Sequence, residues 1–203
     1  MEEARRRLRE RFGELEIRGM VADFMQRIER VAHYPNKVFC FFGSTIGNLD
    51  RREAQRFVAR LGGMMQGGER LLLGLDMVKD RAVLERAYND ECDVTAKFNK
   101  NILEVVNRKL EADFDPDRFR HRAFFNEDKR RIEMHLVATS DMTVDSPCLE
   151  SELEIRKGES IHTENSHKFT RGDIDAFASG AGLKVRAVYT DDNRWFSLVD
   201  YIK

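Results

Sequence analysis

The sequence predicts an α/β fold built on a parallel, doubly wound sheet, and three features indicate it. Val38 to Phe42 and Arg70 to Asp76 are short apolar runs with the length of buried strands. Between them, Asp50 to about Met65 has helical periodicity, and a Gly67-Gly68 turn follows it. A strand, a helix and a second strand in this order are typical of parallel βαβ units. We therefore expect residues 1–78 to contribute part of such a sheet.

The composition favours a globular protein without a strong net charge. The 203 residues are 41% hydrophobic, which is enough for a substantial core. Charged residues make up 35% of the chain but leave a formal net charge of -1, so we expect no nucleic-acid partner and no membrane partner. The spacing of Cys40, Cys92 and Cys148 offers no metal site. With no signal-peptide pattern and no long apolar run, the sequence favours a cytoplasmic protein with reduced thiols.

The loop after the first apolar run is a candidate binding element. It reads Gly43-Ser44-Thr45-Ile46-Gly47-Asn48 and precedes the next helix. Ligands bind beyond the carboxyl ends of strands in open α/β sheets, and glycines permit close backbone approach. The Asn48 amide can donate and accept hydrogen bonds, which makes it a candidate substrate-holding residue. Capping of the next helix by Ser44, Thr45 and Asn48 is an equally good interpretation.

The residues before this loop predict a charged helix and one more strand. Glu2 to Phe12 has helical character, and Leu15 to Ala22 has strand character. Asp23 follows that strand, where it either caps a short helix or bonds a ligand in the cleft. The glycine-rich turn that ordinarily binds dinucleotide or adenosyl cofactors does not precede Asp23. We interpret the sheet as beginning in its middle, with earlier strands removed from the chain or supplied by another polypeptide.

From Lys79 to about Asp113 the pattern is helical. It predicts a buried stripe of seven apolar residues: Val83, Ala87, Val94, Phe98, Ile102, Val105 and Leu110. Tyr88 and Thr95 are one heptad apart, so we expect them on one side of the helix, where a phenol and a hydroxyl could line a pocket. The alternative, which the residue type favours, is a half-buried Tyr88 with its hydroxyl in water.

Further strands are predicted in the second half of the chain. Phe119 to Phe125 and Arg131 to Val137 form a predicted hairpin, and Ser151 to Ile155 forms another strand. Met134 is either a plain core residue or a flexible thioether that packs against a flat ring.

The segment Ser160 to Phe169 is dense in hydrogen-bonding side chains. If it is extended, Glu164 and Ser166 project from one face. The Glu164 carboxylate could bind a cationic or N–H-bearing group, and a surface salt bridge with Lys168 is the alternative. A helix beginning near Thr170 and two closing strands follow.

Six segments, in the same order, resemble one enzyme family. They are Phe42-Gly43-Ser44-Thr45-Ile46-Gly47-Asn48, Asp76-Met77-Val78-Lys79-Asp80, Ala87-Tyr88-Asn89-Asp90, Phe98-Asn99-Lys100-Asn101, Arg131-Ile132-Glu133-Met134-His135-Leu136 and Thr163-Glu164-Asn165-Ser166-His167-Lys168-Phe169. Together they resemble the histidine-specific N-alpha-methyltransferase family, which makes trimethylhistidine in ergothioneine biosynthesis. The resemblance implies the C-terminal part of a Rossmann-like methyltransferase sheet, with its last strand antiparallel, and an inserted α+β substrate-binding domain.

The resemblance also implies an activity and a set of site residues. The activity is transfer of methyl groups from S-adenosylmethionine to the α-amine of L-histidine. The family's substrate-binding residues match Asn48, Tyr88, Thr95, Met134, Glu164 and Ser166. The first two would hold the amine and carboxylate, Thr95 would lie near the imidazole through water, and the last three would surround the ring. Asp23 and Phe24 match the pair that meets the adenine, and no metal is required.

The same resemblance divides the chain and raises alternatives. Residues 1–78 correspond to a partial methyltransferase core, 79–168 to the inserted substrate domain, and 169–203 to the elements that complete the core. The family's glycine-rich motif, its ribose-binding carboxylate and its N-terminal tyrosines fall upstream of Met1, so we expect the chain alone to bind S-adenosylmethionine weakly and to be inactive. A non-catalytic amino-acid-binding lobe and one subunit of a split enzyme are the alternatives. The exposed edge of a shortened sheet also predicts self-association.

Overall fold

The computed structural model describes residues 2–148 and 152–203. Its α-helices are α1 (Glu2–Arg11), α2 (Phe24–Arg27), α3 (Arg51–Met64), α4 (Arg81–Tyr88), α5 (Val94–Leu110) and α6 (Arg171–Ala181). Its strands are β1 (Val38–Phe41), β2 (Arg70–Asp76), β3 (Phe119–Asn126), β4 (Arg131–Ala138), β5 (Met142–Val144), β6 (Leu153–Ile155), β7 (Ser160–His167), β8 (Lys184–Thr190) and β9 (Phe196–Ile202). The chain divides into two units, one up to Pro35 and one from Asn36 onward.

The first unit contains α1 and α2. The helix α1 confirms the predicted charged helix, and Arg6 bonds both Glu3 and Glu10 along its surface. The strand predicted from Leu15 to Ala22 is wrong, because this segment has no regular structure. Its apolar residues suit a strand, but a strand forms only where its backbone groups find a pairing partner.

The second unit contains a four-stranded sheet in the order β1-β2-β9-β8. The strands β1 and β2 are parallel, whereas β9 is antiparallel to both β2 and β8. The sheet therefore confirms the predicted βαβ unit and the antiparallel last strand. Within the described chain β1 and β8 form its edges, and association through such an edge stays a prediction.

Two helices cover this sheet and pack closely on each other. The helix α3 begins with a capping box, in which Asp50 and Glu53 each accept the other's backbone N–H. It buries Phe57, Val58 and Leu61. At Gly62 a Cβ atom would lie only 2.4 Å from the Ala181 carbonyl oxygen, so glycine permits the close approach of α3 and α6.

A separate three-stranded antiparallel sheet, in the order β3-β4-β7, lies between β2 and α6 in the chain. It confirms the predicted hairpin, with Phe119 opposite Ala138 and Asn126 opposite Arg131. It also confirms that the segment from Ser160 is extended. A bulge interrupts the pairing of β4 with β7 between Met134 and His135. The proposed division of the chain at residues 78 and 168 stays a prediction.

The predicted buried stripe of the helical region is wrong. The region forms the two helices α4 and α5, and Val94, Phe98 and Ile102 are exposed by 64%, 63% and 40%. The buried residues of α5 are Asn99 and Leu103, one position further along. The amide of Asn99 donates to His121 Nδ1 and to the His135 carbonyl, which satisfies a polar side chain inside the protein.

The strand predicted from Ser151 to Ile155 corresponds to β6, and Ser151 itself lies outside the described residues. Among the helices of residues 2–148 and 152–203, none is both long and apolar enough to cross a membrane.

Candidate substrate-binding site

The loop after β1 lies directly against β7. The His167 ring donates from Nδ1 to the Gly47 carbonyl oxygen at 2.9 Å. A Cβ atom at position 47 would lie 2.9 Å from the His167 carbonyl oxygen, so glycine is required for this approach. Ser44 has a left-handed backbone (φ 55), and its hydroxyl accepts the Asp76 N–H at 2.9 Å. These bonds hold the loop against the last residue of β2 and the last residue of β7.

This placement brings Asn48 to Glu164. The Asn48 amide nitrogen donates to Glu164 Oε1 at 2.8 Å. Capping of α3 is performed by Asp50, so the capping interpretation of Asn48 is wrong. Glu164 is half-buried, and burial raises the pKa of its carboxyl group while the Asn48 hydrogen bond opposes that rise. The carboxylate is thus partly desolvated and held by a neutral amide rather than by a cation.

A second polar group is formed by Tyr88, Ser166 and Lys168. The Tyr88 hydroxyl and the Ser166 hydroxyl are 2.8 Å apart. The Lys168 ammonium is fully buried, and it donates to the Tyr88 oxygen at 2.9 Å and to Ser166 Oγ at 2.8 Å. Its third partner is Asp76 Oδ2 at 2.8 Å, so the three N–H groups of the ammonium are all used. Tyr88 therefore does not leave its hydroxyl in water, and Lys168 does not pair with Glu164.

The strand β4 supplies the apolar side of the site. Met134 is directly opposite Glu164 in the β4–β7 register, and Ile132 is opposite Ser166. Directly paired residues share a face of an antiparallel sheet, so these four side chains project to the same side. Met134 is 3% exposed and belongs to a buried cluster against which Tyr88 packs.

The remaining predicted site residues are Thr95, Asp23 and Phe24. Tyr88 ends α4 and Thr95 lies in the first turn of α5, so the heptad argument that joined them is wrong. The Thr95 backbone N–H donates to Asp90 Oδ1 at 2.8 Å. In the first unit, Asp23 caps α2 by accepting the Met25 N–H at 2.9 Å, and the Phe24 ring is 42% exposed.

Lys168 occupies the centre of this polar group but is not among the site residues predicted from the sequence. Alternation along an extended segment places Glu164, Ser166 and Lys168 on one face, and this signal was available. The partner Asp76 could not be found this way, because it lies on β2 and is distant in the chain. Lys79 contacts the other oxygen of the same carboxylate at 2.6 Å, so two lysines share Asp76.

Comparison with known proteins identifies the family. A family model described as "Histidine-specific methyltransferase, SAM-dependent" matches residues 1–202. The chain belongs to this family. Among its curated members, "Histidine N-alpha-methyltransferase" of Mycolicibacterium smegmatis is 41% identical over 184 residues, which cover 91% of this chain and 57% of the relative. "Ergothioneine biosynthesis protein 1" of Schizosaccharomyces pombe is 29% identical over 131 residues, covering 63% of this chain and 17% of the relative.

Solved structures agree on the fold of this methyltransferase family member. A S-adenosylmethionine-dependent methyltransferase from Clostridium acetobutylicum matches with a TM-score of 0.51 at 9% identity, covering 99% of this chain and 70% of that protein. The α/β architecture is therefore that of Rossmann-like methyltransferases. The chain spans just over half the length of the Mycolicibacterium smegmatis relative.

Proposed function

We propose that this chain supplies the histidine-binding part of an enzyme that transfers methyl groups from S-adenosylmethionine to the α-amine of L-histidine. The observation that carries the proposal is that two separate groups of hydrogen-bonded side chains lie on one face of β7. Asn48 with Glu164 forms one group, and Tyr88 with Ser166 and Lys168 forms the other. The relatives named histidine N-alpha-methyltransferase support the choice of substrate.

The group around Lys168 suits a carboxylate. Its ammonium donates to both hydroxyl oxygens, and one hydroxyl hydrogen is used in the Tyr88–Ser166 bond. The other hydroxyl hydrogen remains to donate to a ligand, beside a buried positive charge. A hydroxyl donor next to a cation fits the α-carboxylate of an amino acid.

The group around Glu164 suits N–H donors. Because the Asn48 amide nitrogen donates to Glu164 Oε1, the Asn48 carbonyl oxygen and Glu164 Oε2 remain as acceptors. An α-amine and an imidazole N–H are donors of this kind. Met134, on the same sheet face as Glu164, offers a thioether to pack on the flat ring. Two residues along an extended strand span about 7 Å, a separation that suits the two ends of one amino acid.

The reaction places modest chemical demands on these residues. S-adenosylmethionine supplies a methyl group already activated on a sulfonium. The chain's own residues must hold a neutral amine in line with that methyl group, and such positioning contributes about 7–11 kcal/mol to lowering a barrier. Asp23 and Phe24 fit the cofactor's adenine in residue type, since an exposed aromatic residue directly follows an aspartate in the chain. Asn48 would orient the amine and Tyr88 the carboxylate.

The test joins this chain to the N-terminal part of the Mycolicibacterium smegmatis relative and measures methylated histidine by mass spectrometry. In this chimaera we expect Asn48→Ala and Tyr88→Phe to raise the KM for histidine and leave the KM for S-adenosylmethionine unchanged. Loss of one hydrogen bond to a charged group costs about 1.5–3 kcal/mol, which is about a ten- to hundredfold rise. Asn101→Ala and Tyr189→Phe, on exposed residues, are the matched controls.

The outcomes separate the alternatives. Histidine binding by the chimaera without methyl transfer would favour a non-catalytic amino-acid-binding lobe. If the two variants raised the KM for S-adenosylmethionine and left the KM for histidine unchanged, the result would contradict the roles of Asn48 and Tyr88. Titration calorimetry of the chain alone tests the accompanying expectation that it binds S-adenosylmethionine weakly; micromolar binding would overturn that expectation.

A further inference from the structure

The face of the three-stranded sheet opposite Met134 carries three potential metal ligands. We propose that Glu133, His135 and His162 form a binding site for a divalent transition-metal ion such as Zn²⁺. Glu133 and His135 alternate on β4, and His162 is directly opposite His135 on β7. This site is separate from the proposed histidine-binding face and does not depend on it.

The geometry brings the three ligand atoms together. One ligand atom from each side chain lies within 4.8 Å of the other two. Glu133 Oε2 and His135 Nε2 are 3.6 Å apart, and the two imidazole rings stack with centroids 4.6 Å apart at 9°. Ligands around a tetrahedral Zn²⁺ lie about 2.0–2.2 Å from the ion. The site therefore needs a modest inward movement, which the exposed His162 side chain can supply by rotation.

Two buried polar atoms on this face of the sheet support the metal site. Within the described residues, the buried side-chain atoms without a hydrogen-bond partner are His135 Nε2 and Asn165 Oδ1. Asn165 is directly opposite Glu133 in the β4–β7 register, so both atoms belong to the same sheet face. Buried polar atoms ordinarily have a partner, and a bound cation with its water would satisfy both a nitrogen lone pair and an amide oxygen.

One oxygen of the Glu133 carboxylate is available to a metal ion. Arg131 Nε donates to Glu133 Oε1 at 2.8 Å, so Oε2 remains for the metal. Carboxylate oxygens and imidazole nitrogens are both ligands of Zn²⁺ in proteins.

The ligand types select the metal. Two imidazoles and one carboxylate suit Zn²⁺, Co²⁺, Ni²⁺ or Cu²⁺ and disfavour Mg²⁺ and Ca²⁺, which prefer all-oxygen sites. Since His162 is exposed, water can complete the coordination. A bound ion would also tie β4 to β7 at the bulge beside Met134.

The experiment titrates chelator-treated chain with Zn²⁺ by calorimetry and follows the thermal midpoint. We expect one equivalent to bind, a rise in the midpoint, and weakening by more than about a hundredfold in His162→Gln, a greater loss than the roughly 10–100-fold that removal of an outer-shell partner causes. His162 is exposed, so this variant should fold normally. The matched control is His33→Gln, at an exposed histidine in the first unit, which should bind as the parent does.

Co²⁺ absorption distinguishes this site from thiols. Cys40, Cys92 and Cys148 are exposed and free, and a thiolate ligand would add a charge-transfer band that imidazole and carboxylate ligands do not give. A Co²⁺ spectrum without that band, lost in His162→Gln, supports the site. No binding by the parent, equal binding by His162→Gln, or a thiolate band that persists in this variant would each overturn the proposal.

Discussion

Replacing Lys168 with methionine tests the buried charge at the centre of the candidate site. Lys168 is 0% exposed and its ammonium contacts Asp76, Tyr88 and Ser166 at 2.8–2.9 Å. Methionine keeps most of the volume and removes the charge. Breaking a buried ion pair costs about 3–5 kcal/mol when its partner is left without compensation. Here Lys79 still neutralises Asp76, whose side chain is 21% exposed, so we expect a loss of about 3 kcal/mol in the free energy of unfolding.

Lys79→Met provides the comparison. It removes the other cation from the same carboxylate but leaves the Tyr88 and Ser166 hydroxyls bonded to Lys168. We expect a loss of about 1 kcal/mol, as for a more exposed pair. Urea unfolding should be followed by far-UV circular dichroism, since Lys79 lies 5.7 Å from the Trp195 ring and would alter its fluorescence. Equal losses in the two variants would refute the argument, because charge neutralisation alone would then explain the role of Lys168.

Three more predictions follow from the same region. Gly47→Ala should lower the thermal midpoint, because its Cβ would lie 2.9 Å from the His167 carbonyl oxygen, whereas Gly63→Ala, with open space around it, should not. Burial raises the pKa of Glu164, so ionisation of this carboxyl group destabilises the fold as pH rises through that pKa. In urea unfolding, the free energy of unfolding of Glu164→Gln should therefore exceed that of the parent by an amount that grows from mildly acidic to neutral pH. This difference should vanish on the acidic side. In the chimaera, Glu164→Ala with Met134→Val should lower the ratio of kcat/KM for histidine to that for tryptophan, since the double variant removes an N–H acceptor and enlarges the ring space; an unchanged ratio would place both residues outside the ring pocket.

Periodicity predicted those elements whose partners are close in the chain. The βαβ unit of β1, α3 and β2, the hairpin of β3 and β4, and the last two strands all follow from alternation or from a helical stripe. The segment from Leu15 to Ala22 has similar local character but is irregular. Strand formation depends on a pairing partner that local sequence does not specify.

The break between α4 and α5 shows a second limit. The sequence predicted helical structure from Lys79 to about Asp113 and assigned no boundary within it. The Asp90 carboxylate, however, accepts the backbone N–H groups of Val94 and Thr95 and starts a new helix. This change of direction exposes Phe98 and buries Asn99 instead. A capping signal was present in the sequence but was outweighed by periodicity.

The candidate site was predictable in part. Asn48, Tyr88, Met134, Glu164 and Ser166 were chosen through the family resemblance, and the structure brings them to one face of β7 and the loop against it. Their roles in binding stay predictions. The contribution of Asp76 could not be inferred from spacing. Asp76 lies at the end of β2 and contacts Lys168, which follows β7 of the other sheet.

The insertion of β9 between β2 and β8 has a consequence for how the chain folds. In the final sheet β2 pairs with β1, close by in the chain, and with β9, which follows more than a hundred residues later. Closing so long a loop is entropically costly and raises the contact order, so this pairing forms late. The hairpin of β3 and β4 needs only a short loop and can form first. During synthesis, one side of β2 therefore stays open until β9 emerges, and its unpaired backbone and the buried Leu71, Leu73 and Leu75 are until then most vulnerable to aggregation.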